Sequence, residues 1–190
     1  MKKSLIASIV GGIIIFFWQF LSNAALDLHR PASQYTPEQD TIMAFLSNHL
    51  KEGKYFLPNT PDNATSSEKQ KLMEDSGGRP WAIIDYKKQM NTNMGMNMLR
   101  GLLTDIIMVW LLCWILLKGR FESFNAILTT SVIIGFMSFL YFPYANFVWY
   151  ESPGIYADLL DSIAGWALCG IWLGYYLKGK KTSVTESVTS

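Results

Sequence analysis

Four long apolar stretches separate the polar parts of this chain, and their lengths set the architecture. A helix rises about 1.5 Å per residue, so roughly 20 apolar residues are needed to cross a hydrocarbon core of about 30 Å. Leu5 to Leu26 meets that length without a charge, although Gln19, Ser22 and Asn23 make its far end polar. Leu99 to Leu117 is interrupted by Thr104 and Asp105, Ala126 to Phe142 stops at Pro143, and Leu159 to Leu177 carries Asp161 near its start. The pattern predicts an all-α membrane fold, a four-transmembrane-helix bundle with a small extracytoplasmic α+β segment between helices 1 and 2. Its expected divisions are transmembrane helix 1 over 1–26, the extracytoplasmic segment over 27–96, helices 2 to 4 over 97–180, and a disordered, Ser/Thr-rich cytoplasmic tail over 181–190.

The polar segment has readable elements of its own. Thr36-Pro37-Glu38-Gln39 has the form of a capping box with Pro at the first helical position, which predicts a helix start. Ile42, Phe45, Leu46, His49 and Leu50 then share one helical face, and Gly53 supplies a stop. Pro58 to Glu68 reads as loop, and Trp81 to Tyr86, after Gly77-Gly78-Arg79-Pro80, as a short strand. A segment of this size can bury little core by itself.

Charge placement gives the orientation. Lys2, Lys3, Lys118, Arg120, Lys178, Lys180 and Lys181 all fall on one side of a four-span chain, whereas the opposite short loop, 143–158, holds no Lys or Arg. Because basic residues are retained on the cytoplasmic side, both termini are expected there. Met1 to Ala25 also has features of a secretory signal, with Lys2 and Lys3 ahead of an apolar centre; its apolar run exceeds the usual 7 to 15 residues, and cleavage would leave three spans in the same orientation.

Composition narrows the chemistry. Half of the 190 residues are hydrophobic, 16% are charged and the net charge is +1. Without a block of like charges, no nucleic-acid partner is expected. Cys113 and Cys169 both lie in apolar runs, so they read as small packing residues and the polar segment has no disulfide framework. There is no nucleophile elbow, no HExxH, no phosphate-binding glycine loop and no CxxC pair. No catalytic residue, metal or cofactor is assigned. Met90, Met94, Met96 and Met98 form a soft-ligand cluster of the kind Cu(I) favours, but Met90, Met94 and Met98 recur every four residues, and packing on a helix face is the favoured reading.

Ionisable groups at membrane depth are the informative ones, since an Asp at a helix centre costs roughly 2.5–3.5 kcal/mol on insertion scales. Asp105 is the deepest. One reading brings Asp105, Asp161 and Arg100 together in an outer-leaflet cavity with Gln19 and the Trp149-Tyr150-Glu151 loop. The other makes them an interhelical lock, with Arg100 pairing one acid and Asp158 solvated. His29, beside Arg30, reads as an interfacial residue. Small residues four apart, Ala7 and Gly11, Ser8 and Gly12, Ser131 and Gly135, Gly170 and Gly174, mark seams that either close the bundle or join two copies.

Several stretches together resemble a family of uncharacterised small bacterial inner-membrane proteins of four helices. They are Phe17-Trp18-Gln19-Phe20-Leu21-Ser22 after a Gly-Gly pair, His29, Gly53-Lys54-Tyr55-Phe56-Leu57-Pro58, Asn93 to Arg100, Trp149-Tyr150, and Asp161 with Gly165-Trp166. The resemblance covers nearly the whole chain and implies a bacterial inner-membrane location but no defined activity. The family often has Trp where this chain has Asn23. The expected function is a non-catalytic interaction or scaffold subunit, working through membrane lipids, a homo-oligomer or a membrane-protein partner. The alternative is a small-molecule, lipid or ion-handling protein with a polar cavity around Asp105 and Asp161. An intramembrane enzyme using one of those carboxylates ranks third.

Overall fold

The computed structural model describes residues 2–178, so the tail expected over 181–190 lies outside the described residues. In chain order the elements are α1 (Lys2–Phe20), α2 (Gln39–His49), β1 (Gly53–Leu57), α3 (Ser66–Ser76), β2 (Ala82–Tyr86), α4 (Met94–Lys118), α5 (Phe124–Phe139), α6 (Ala145–Tyr150) and α7 (Ile155–Leu177). They fall into two compact units: a helical one formed by the residues up to Gln34 with those from Asn93, and a smaller one, Tyr35–Thr92.

In the helical unit α1 packs against both α4 and α7, and α5 packs against α7, in the order α4–α1–α7–α5. Paired helices are antiparallel. Trp172 of α7 donates to the Ala7 carbonyl near the start of α1 at 3.4 Å, while Trp18, near the end of α1, reaches Asp161 close to the start of α7. Small residues permit the approach, as expected where lipid offers no hydrophobic drive and dispersion contacts dominate. A Cβ on Gly12 would lie 2.7 Å from Ile106 Cα, and one on Gly11 would meet Val109 and Cys169. On the far pair, Gly170 lies against the Ser131 side chain, and Gly135 against the Ser162 carbonyl and Trp166. The seams are therefore used within the chain. Between them Ile15, Val109, Leu112, Leu116, Ile127 and Leu173 form the core, with Cys113 and Cys169 fully buried as free thiols.

Three helical stretches are long and apolar enough to cross a membrane: Lys2–Ala25, Met94–Lys118 and Phe124–Tyr150. The fourth, α7, has 23 residues but begins with Asp158 and Asp161 and is not in that group. Pro143 does not end the third stretch. A π-helical turn over Leu140–Tyr144 contains it, and α6 carries the helix on to Tyr150. The wider turn gives the proline ring room beside the carbonyl four residues back, a clash that would otherwise break the helix. A second π-turn, Leu21–Ala25, extends α1.

In the smaller unit β1 and β2 pair antiparallel, from Gly53↔Tyr86 to Leu57↔Ala82. The strand expected over 81–86 is present from Ala82, but β1 and α3 were not expected. The stretch read as loop to Glu68 already turns helical at Ser66, capped by Thr65, whose hydroxyl takes the Glu68 amide while the Glu68 carboxylate takes the Thr65 amide. At α2 the expected box does not form. The Thr36 hydroxyl bonds the Glu38 amide at 3.3 Å, Pro37 and Glu38 make a turn, and the helix begins at Gln39. Its apolar face is largely open, with Phe45 stacked on His49. Tyr86 is the one buried hydrophobic side chain described in this unit.

Candidate functional site

Polar side chains collect at the end of the helical unit opposite its lysines. Consecutive helical residues point about 100° apart, so Trp18 and Gln19 address different neighbours. Trp18 donates its indole N–H to Asp161 Oδ1 of α7 at 3.1 Å, and Gln19 donates its amide to Asp105 Oδ1 of α4 at 3.3 Å. Ser22, three residues beyond Gln19 and four beyond Trp18, lies on the same side of α1 as both and is fully buried. Three helices thus share one polar layer.

Asp105 is 2% exposed, and its second oxygen, Oδ2, has no partner among the described residues; neither has the Ser22 hydroxyl. Buried polar atoms in folded proteins are overwhelmingly paired, because leaving one bare costs about 1–3 kcal/mol. Two such oxygens in one layer call for a binding partner. Ser22 also lies in the π-turn, a device common at functional sites.

The chain leaves that turn through Asp27, whose φ of 49° reverses its direction, while the Leu28 amide bonds back to the Ser22 carbonyl at 3.1 Å. His29 is thereby placed over the start of α7. Its Nε2 lies 2.7 Å from Asp161 Oδ2 and its Nδ1 3.8 Å from Asp158 Oδ1. Asp158 and Asp161 are three apart on one helical face, so a single ring can address both. The imidazole meets them with opposite nitrogens, so the three groups do not converge on one point. Among the described residues no cluster of three or more His, Cys, Asp or Glu is arranged to hold a metal. With three carboxylates against one imidazole the layer is acidic.

Of the residues expected here, Gln19, Asp105 and Asp161 take part. Arg100 is exposed and makes no ion pair with either acid, and Trp149 is 78% exposed on α6. Four participants lie outside the expected cavity: Trp18, Ser22, His29, which reads from sequence as interfacial, and Asp158, which reads as solvated. Their signal was a hydrogen-bonding demand, since an indole N–H and an imidazole near the membrane need acceptors, and Asp158-x-x-Asp161 supplies them. The methionines do not pack as a core face; Met90, Met94, Met96 and Met98 are all exposed. An open hollow of about 580 Å³ lies in the smaller unit beside Arg79 and Trp81.

The fold and site together define a helical protein with membrane-length apolar helices and an acidic layer shared by three of its helices. No family model, curated protein or solved structure matches the chain.

Proposed function

We propose that this is a four-span bacterial inner-membrane protein, both termini cytoplasmic, whose acidic layer takes up a small cation or protonated solute from the extracytoplasmic side. The observation that carries the reading is the bare, buried Oδ2 of Asp105. A cationic guest would satisfy it, and would suit a layer in which acids outnumber bases. α7 counts as the fourth span because it runs antiparallel to α1 and its own 23 residues are enough to cross about 30 Å. Lys3 over the Tyr176 ring and Lys178 over the Tyr175 ring support a shared basic, cytoplasmic end. Asp105 lies 13 residues before Lys118, about 20 Å along the helix, which sets it in the outer leaflet. Burial of Ala7, Ser8, Gly11 and Gly12 supports α1 as a retained span rather than a removed signal.

The test is charge displacement in proteoliposomes on a solid-supported membrane, after jumps in proton, sodium, potassium or methylammonium concentration. At least one jump is expected to give a saturable transient that Asp105→Asn abolishes while the variant stays monodisperse. Silence toward all four, or a transient unchanged in the variant, overturns the reading.

A second reading, the interaction or scaffold subunit, draws on α5. This helix packs against α7 and leaves Ile133, Phe136 and Met137 exposed along its length. A second copy or another membrane protein covering that stripe would make a complex whose mass by light scattering exceeds one chain. The glycine seams lend this reading no support, because they close within the chain.

A further inference from the structure

At the lysine-bearing end, residues of α1 and α4 line a groove of about 610 Å³. Its walls are apolar and aromatic, with Leu5 from α1 and Trp110, Trp114 and Leu117 from α4, while Lys2 and Lys118 stand at its rim. The tryptophans are one turn apart on α4 and both about half exposed, so they form a continuous face rather than core. The two lysines come from different helices and from opposite ends of those helices, brought together by the antiparallel packing. Neither makes an ion pair with a described residue. Their neighbours behave differently: Lys3 lies over Tyr176, 5.8 Å from the ring centroid, and Lys178 over Tyr175, whereas Lys2 faces the α4 side.

We infer that this groove is a binding site for one anionic phospholipid, its phosphate held between Lys2 and Lys118 and an acyl chain laid along Trp110, Trp114 and Leu5. The charge argument is direct. Two ammonium groups at the mouth of an apolar channel, with no acid lining it, complement a phosphate that is joined to a hydrocarbon chain. The aromatic walls match the same molecule at its boundary, where indole rings favour the headgroup level. The acidic layer lies at the other end of α1, so the two sites are independent. A zwitterionic lipid carries a compensating ammonium that the two lysines would repel.

Thermal unfolding in mild detergent, titrated with phosphatidylglycerol or with phosphatidylcholine of the same chains, tests the site, with glycerol 3-phosphate as the headgroup-only arm. The midpoint is expected to rise saturably with phosphatidylglycerol alone, and native mass spectrometry is expected to show one retained anionic lipid. The double variant Lys2→Gln/Lys118→Gln keeps Lys3 and Arg120 for orientation and is expected to bind about thirty-fold more weakly. Lys2→Arg/Lys118→Arg restores binding, and Trp114→Ala weakens it without removing charge. Equal shifts with both lipids, full selectivity in the glutamine variant, or glycerol 3-phosphate acting as strongly as the lipid would each overturn the assignment. Should the glutamine variant fail to fold, the Trp114→Ala titration decides: undiminished affinity there overturns it.

Discussion

Asp161 accepts from Trp18 at 3.1 Å and pairs with His29 at 2.7 Å, one partner on a helix and one on the segment that follows it. The residue therefore ties the exit of α1 to the start of α7. Hydrogen bonds involving a charged group contribute about 1.5–3 kcal/mol, and the Asp161 side chain is only 18% exposed, so solvent weakens this one little. His29→Ala and Asp161→Asn are each expected to destabilise the protein, and the double variant by less than their sum. Urea unfolding in mild detergent measures the coupling; strict additivity would show that the contact carries no energy. Part of this was legible in the residues. An Asp at membrane depth announces itself by its insertion cost, and Asp105 and Asp161 were singled out on that ground. Arg100, about one turn from Asp105, and Trp149, in the connection expected on the same side, share its level but not its direction, and both are exposed. His29 could not be placed because its position depends on a positive φ at Asp27, two residues earlier, and an Asp, though a good turn former, does not announce which hand its backbone takes.

The helices are held by close approach, and that makes their glycines unequal. Gly12→Ala would push a Cβ to 2.7 Å from Ile106 Cα and is expected to cost about 1–3 kcal/mol. Gly95→Ala, in the first turn of α4, meets nothing within 4 Å and should stabilise by about 0.4–1 kcal/mol. Melting midpoints of the two variants should thus move in opposite directions. At α3 the Thr65 amide and then its hydroxyl hold the Glu68 carboxyl below its ordinary value of 4.5. A depressed carboxyl stabilises the helix at pH values above the ordinary one, and that contribution is lost as pH falls through the lowered value. Amide-exchange protection over Ser66–Ser76 should therefore drop on acidification through that range in the parent, and not in Glu68→Gln. Element by element, apolar length revealed the long helices because lipid demands it. β1 was hidden because Gly53 read as a helix stop and Lys54 interrupts its apolar run. α3 was hidden because Ser66–Ser76 has only Leu72 and Met73 as apolar side chains, too few for a helical stripe, which leaves the Thr65-to-Glu68 box as its main mark.

Across the whole chain, antiparallel packing puts Lys2, Lys3, Lys118 and Lys178 at one end of the helical unit and the acidic layer at the other. Under the proposed orientation, Asp62→Cys should react with an impermeant maleimide in intact cells, and Glu122→Cys only after the inner membrane is opened. The native thiols are fully buried and add little background. Labelling in the reverse pattern would invert the topology. The helix order α4–α1–α7–α5 was not written in the apolar pattern, because hydropathy shows which helices are apolar enough to span and not which ones touch.

That order has a consequence for how the protein is made. A ribosome releases α5 before α7, yet α7 is the long helix on which α5 packs, so Ser131 and Gly135 must wait without a mate until roughly thirty to forty further residues have been translated. α1 waits longer still: its face toward Cys169 stays open until the last helix arrives. A nascent chain halted after Tyr150 would hold only the α1–α4 pair, and quality-control proteases that recognise unpaired helices would meet α5 first.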